Sequence, residues 1–212
     1  VEYTTYILSP KVKVKAPKHS LTFRRATETD RERLQDFLNT EGKKKDLFPV
    51  IQSFDAFTDL SIEDFHLLLD GERIVATAAL WNQTAYKQYV VKKYRGLMKL
   101  ARFANPLLSV LRYIRLPKEN QPLDFPMLSF FVSQNDNQEY YRILLNEIKR
   151  EIAKSYGMFV IGLPRNHVAS LMLDHLPGVR FETKLYEIKL PWSAQSDTTV
   201  DQRNIQPECG LL

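Results

Sequence analysis

The residues of this chain best placed to do chemistry are cations and phenols. Between Arg73 and Lys118 the sequence carries Lys87, Lys92, Lys93, Arg95, Lys99, Arg102, Arg112 and Arg115 without one acidic residue, interleaved with Tyr86, Tyr89, Tyr94, Phe103 and Tyr113. Cations at that density meet phosphates, an anionic lipid surface, a nucleic acid or an acidic protein, because each contact releases a counterion or makes a charge-assisted hydrogen bond. Lys87, Lys92, Lys93, Arg95, Lys99 and Arg102 are therefore the candidate anionic-partner surface. The plainer alternative is a solvated helix face with its aromatics turned inward.

Proton transfer needs an imidazole or a phenol near the reacting atoms. His66, close after Asp64, and the tyrosines Tyr140, Tyr141 and Tyr186 are the candidates, set against the commoner use of such rings as packing groups. His19, His66, His167 and His175 are scattered, with no spacing that would ligate a metal, so none is expected. The one cysteine, Cys209, excludes an internal disulfide and a thiolate metal site. Cys209-Gly210-Leu211-Leu212 has the spacing of a prenylation box, but no polybasic stretch precedes it and glycine is a poor aliphatic position, so it reads as a chance match. Neither a nucleophile elbow nor a glycine-rich phosphate loop is present.

These groups must be carried by a framework, and the composition provides one. With 212 residues, 44% hydrophobic and 26% charged, the chain can fill a single core. No apolar run reaches the roughly 18–20 residues needed to cross a bilayer, and residues 1–20 lack a signal-peptide core, so a cytoplasmic protein is expected. Val12-Lys13-Val14-Lys15 alternates as an edge strand would, which makes residues 1–20 an N-terminal extension. Leu21–Ala26 reads as the first core strand, followed by a capping box at Thr29-Asp30-Arg31-Glu32 and a helix with Leu34, Phe37 and Leu38 inward. A second helix is expected within Asp46–Leu60, from the recurrence of Leu47, Val50, Ile51, Phe54 and Phe57.

Phe65–Leu69 and Arg73–Trp81 flank Asp70-Gly71, a strong hairpin signal. A helical insertion spans 82–122, punctuated by Pro106, Pro117 and Pro122. Pro126–Ser133 is a strand buried on both faces, Asp136–Tyr156 a long amphipathic helix, and Met158–Leu163 another buried strand. A short helix over Asn166–Leu176 and a closing strand over Val179–Leu190 follow, with a bulge expected at Leu185-Tyr186 where the alternation slips. Residues 193–212 form a polar tail that something must hold in place.

This order resembles the GNAT superfamily of acyl-CoA-dependent N-acyltransferases over about Leu21 to Trp192. The likeness is carried by Phe23-Arg24-Arg25-Ala26-Thr27 with Asp30, by the Asp70-Gly71 hairpin ending in Ala76–Leu80, and by Val160-Ile161-Gly162-Leu163 with Asn166, Ala169 and Phe181. The resemblance implies an α/β (α+β) fold, a mixed and mostly antiparallel sheet flanked by helices, with the helical insertion between the third and fourth core strands. It implies acetyl-CoA or another acyl-CoA as cofactor and an amine of a small molecule or peptide as acceptor, seated between the insertion and the sheet. In that family the strands equivalent to Pro126–Val132 and Met158–Leu163 splay, and the acyl-CoA arm lies in the gap. Carried over, Phe130, Phe131 and Val132 supply strand backbone to the pantetheine arm, and the loop Gln134, Asn135, Asn137, Gln138 and Tyr140 cradles the phosphates. Asn166 is a polar anchor. A homodimer is among the arrangements considered.

Two positions depart from the family pattern. With Leu144-Leu145 aligned to the family's paired leucines, the pyrophosphate-loop positions hold Asp136, Glu139 and Tyr141 in place of a Gln or Arg and two small residues. Carboxylates there cap the helix and repel a diphosphate. The usual general-acid tyrosine is replaced by Leu173, which cannot protonate a leaving thiolate. A second expectation therefore stands beside the first: a catalytically silent domain of the same fold that binds an anionic partner through the basic aromatic insertion.

Overall fold

The computed structural model of the protein describes residues 1–110, 116, 118–186 and 205–211. Its framework is one seven-stranded sheet, built from β1 (Glu2–Leu8), β2 (Thr22–Arg25), β3 (Phe65–Asp70), β4 (Arg73–Trp81), β5 (Met127–Ser133), β6 (Phe159–Pro164) and β7 (Gly178–Lys184). The strands lie in the order β2-β3-β4-β5-β6-β1-β7. All neighbours are antiparallel except β5 and β6, whose connection is long enough to include a helix. This is the mixed, mostly antiparallel α/β architecture expected from the sequence.

Strand alternation builds two cores. One face of the sheet, including Tyr6, Leu8, Leu68, Val75, Leu128 and Phe131, packs under α3 (Gln138–Ile152) and the four-residue α4 (Ser170–Leu173). Every third or fourth residue of α3, Tyr141, Leu144, Leu145, Ile148 and Ile152, points into that core. The other face buries Phe65, Leu67, Leu69, Ile74, Trp81, Phe130 and Val132 against α1 (Arg31–Gly42) and the segment 46–62. The chain enters α1 through a 3-10 turn, Glu28–Asp30, capped by Thr27, whose backbone amide donates to Asp30 Oδ2 (2.9 Å), so the capping box sits two residues before the expected Thr29. Asp30 is fully buried, and its bonds to Arg24, Thr27 and Arg33 hold its carboxyl well below the usual carboxylate range in spite of burial.

Three expectations need correction. Val12–Lys15 is not a strand; the extended segment is Glu2–Leu8, and it lies inside the sheet, paired with β6 on one side and β7 on the other. The N-terminal residues are thus part of the core. The helix expected within Asp46–Leu60 is a loop with a short 3-10 turn at Phe54–Ala56. Pro49 removes a donor and Leu47 adopts positive φ, so the apolar residues Phe48, Ile51 and Phe54 are buried by tertiary packing without helical hydrogen bonds. Among the described residues of the insertion only α2 (Leu97–Val110) is helical, and Val90 pairs with Pro122 to tie the loop's ends. The bulge expected at Leu185-Tyr186 falls where β7 ends, after Lys184, and 187–190 lie outside the described residues.

Candidate functional site

The irregular place in this sheet is the boundary between β5 and β6. Their parallel ladder has one register pair, Met127 with Val160, after which the strands part. On its other side β5 carries a bulge: Thr77 pairs with Val132 and Ala79 with Ser129, so three steps on β5 oppose two on β4. The bulge reverses the facing of the strand, placing Leu128 in the α3 core and Phe130 and Val132 in the opposite one. It also sets Phe130 at φ 50, a conformation costing about 1–3 kcal/mol for such a residue. The Phe130 ring offsets that strain by packing, fully buried, against Phe48, Phe57, Phe65 and Trp81.

The chain's own residues 205–211 lie at this gap. The Phe130 amide donates to Glu208 Oε2 at 2.7 Å, and the Phe131 carbonyl accepts from Gln206 Nε2 at 3.4 Å. Glu208 is completely enclosed, and its second oxygen accepts from the Gly210 amide. Burial lifts its carboxyl to about 7, the backbone donors Gly210 and Phe130 and the Ser129 hydroxyl pulling the other way. Two glycines make the close approach feasible. A Cβ at Gly162 on β6 would collide with Cys209 Sγ and lie 2.6 Å from Tyr3 Oη, and one at Gly210 would lie 2.5 Å from the Trp81 ring. Gln83, from the start of the insertion, closes the seam by donating to the Gly210 carbonyl at 2.7 Å. Cys209 is buried, and desolvation followed by the Glu208 charge raises its thiol to about 12.

At the opening of α3 the amides also have partners. The helix cap is Asn137, whose Oδ1 accepts from Glu139 and Tyr140 amides at 2.9 and 3.3 Å, and not the expected Asp136 and Glu139 pair. The Asn135 amide donates to Glu41 Oε2 at 3.0 Å, and Lys44 bridges Glu41 and the Asn135 side chain. Asp136 instead faces inward: Lys45 Nζ is 2.5 Å from its Oδ1, and Tyr141 Oη donates to the same oxygen at 2.9 Å. Burial acts to raise the Asp136 carboxyl, but Lys45 outweighs it and the net direction is down. Lys45 also donates to Gln206 Oε1, so the 205–211 segment and the α3 opening share one buried cation. His167 completes the row, its Nε2 3.3 Å from Tyr141 Oη and its Nδ1 accepting from the Ala169 amide. Burial, with Lys45 adding to it, drops the imidazole to about 3.

The other predicted residues are dispersed. Val132 contributes a buried side chain to the Phe130 core, Gln134 and Gln138 flank the α3 opening, and Asn166 is exposed beyond β6 beside Arg165. His66 lies on β3, separated from the gap by β4, stacked on Phe23 and 2.9 Å from Glu151 Oε2; burial lowers its pKa and Glu151 opposes that. Tyr140 is half-buried against the α3 core, and Tyr186 is exposed beyond β7. Lys92, Lys93, Arg95 and Lys99 are exposed, with Lys87 and Arg102 half-buried, and α2 also exposes Leu97, Leu100 and Phe103. A cavity of about 590 Å³ is lined by residues of β1, β5, β6 and β7 together with Lys87 and Tyr89 of the insertion. Lys45, Gly162, Gln206 and Glu208 were not among the predicted site residues; they are far apart in the chain and share no motif or period.

Compared with known proteins, the sequence matches no family model and no curated relative.

Proposed function

We propose that the chain is a GNAT-like acyl-transfer domain, passing an acyl group from acyl-CoA to an amine of a small molecule or protein, with its donor gap closed by residues 205–211. The observation that carries this reading is the pair of parallel strands joined at Met127 and Val160 alone, with β5 bulged so that the Phe130 amide turns into the gap. In the family the sequence resembles, that gap receives the acyl-CoA arm. Here Glu208 and Gln206 occupy the Phe130 and Phe131 backbone groups that a pantetheine amide would use. The reaction would need the amine nitrogen to attack the thioester carbon and the sulfur to leave as thiol. Donor binding therefore requires residues 205–211 to withdraw.

One observation favours a second reading, the catalytically silent domain with a basic docking surface. The amides opening α3 already bond to Asn137 and Glu41, and Asp136 stands among them paired to Lys45. A diphosphate would have to displace those partners and face a carboxylate.

Thermal shift with acetyl-CoA and palmitoyl-CoA separates the two. The full chain and a chain ending at Asn204 are compared, with Glu208→Ala as the variant that loosens the segment without removing it. Acyl transfer predicts stabilisation of both variants by about 2.7 kcal/mol at a hundred times the dissociation constant, and a smaller effect on the full chain. No stabilisation in any of the three sinks that reading. The silent reading predicts salt-sensitive binding to anionic vesicles or nucleic acid that Lys92→Glu with Lys93→Glu abolishes.

A further inference from the structure

The cavity between the insertion and the sheet does not depend on acyl transfer, and its walls define a ligand by themselves. At about 590 Å³ it falls in the range of small-molecule sites. Its walls come from separate elements: Ile7 on β1, Val160 on β6, Phe181 on β7, Tyr89 from the insertion, and Leu123 and Phe125 from the segment leading into β5. Met127 and Met158 add flexible thioether surface that conforms to a chain. Phe181 and Tyr89 are 55% and 45% exposed, so two large rings border the space without being buried by it.

Among the described residues the walls carry one charged residue, Lys87. It is half-buried, and among the described residues its ammonium has no hydrogen bond or ion pair. Its charge reaches far enough inward to favour the thiolate of Cys209. No acidic residue occurs between Arg73 and Lys118, and the insertion's one acid, Glu119, accepts from the Tyr94 amide at 2.8 Å. A cation held at an apolar wall recruits an anion and repels an amine, and the other polar groups of the described wall are the hydroxyls of Tyr3, Thr5, Tyr89 and Thr183 and the Cys209 thiol.

We propose that this cavity binds a single-chain aliphatic carboxylic acid, with the carboxylate at Lys87 and the chain laid against Ile7, Val160 and Phe181. Chain burial supplies the affinity, and Lys87 supplies the choice of head group.

The test is calorimetric titration of the full-length protein, below micelle-forming concentrations, with palmitate and dodecanoate against hexadecanol, dodecylamine and hexanoate. One-to-one binding of the two long acids is expected, with hexanoate and dodecylamine silent. Lys87→Met should weaken the acids about ten-fold and leave the alcohol unchanged, as loss of one charge-assisted bond predicts. Thr5→Trp and Thr183→Phe, which fill the cavity from neighbouring strands, should abolish binding of acid and alcohol together while far-ultraviolet circular dichroism stays that of the parent. The proposal is overturned if palmitate does not bind, if it binds the two filled variants as well as the parent, or if Lys87→Met leaves the acid and alcohol affinities as they were.

Discussion

At the residue scale, two buried titratable groups tie the protein's stability to pH with opposite signs. Glu208 has a folded pKa of about 7, above its ordinary 4.5, so the native state holds its proton through that window. The closed arrangement is therefore strongest below about 4.5 and weakens as pH rises through about 7. His167 acts in reverse: its folded value of about 3 lies below 6.5, so its contribution is complete above 6.5 and declines as pH falls toward 3. Tyr3 and Cys209 face Glu208 from β1 and from the same segment; burial is the main cause of each one's raised pKa, and the Glu208 charge raises both further. Glu208→Gln mimics the protonated acid and keeps an oxygen for the Phe130 amide. Its amide nitrogen cannot accept from Gly210, so it should melt below the parent at pH 5, with the deficit shrinking or reversing at pH 8; the same difference at both would refute the buried carboxyl as the cause.

At the element scale, α3 decides what the site can hold. Its apolar stripe was legible in the sequence because Tyr141, Leu144, Leu145, Ile148 and Ile152 recur at helical spacing, and the structure buries each of them. Its N-terminus was not legible. Several side chains around 136–139 suit a cap, and only the approach of Lys45 from 91 residues away turns Asp136 inward and leaves the task to Asn137. Asn137→Ala should cost about 1 kcal/mol in urea unfolding, whereas Glu139→Gln should cost a few tenths. A larger loss at Glu139 than at Asn137 would return the cap to the residue the sequence suggested. The absent helix in 46–62 has the same origin: Ile51 and Phe54 follow a helical period, yet Pro49 and the fit of Phe48 against Gly42 and Phe130 outweigh it.

At the scale of the whole molecule, the ends of the chain complete the middle. β1 pairs along its length with β6 and β7, and 205–211 fill the seam between β5 and β6. Removing residues 1–9 should expose two strand edges and strip Tyr6 and Leu8 from the core, giving a protein that aggregates and unfolds without a cooperative transition. A monomeric, cooperatively melting product would show that β1 is dispensable. What the sequence by itself determined is local: which segments alternate, which repeat at helical spacing, where the hairpin turns, and that one basic stretch lacks acids. Periodicity and turn chemistry act over a few residues, so these features survive without a neighbour. What only the tertiary structure decided is which segment fills each vacancy. Tyr3 meets Pro164 and Phe130 meets Glu208 across separations of 161 and 78 residues, and such pairings leave no period in the chain because they depend on shape and buried charge met after folding.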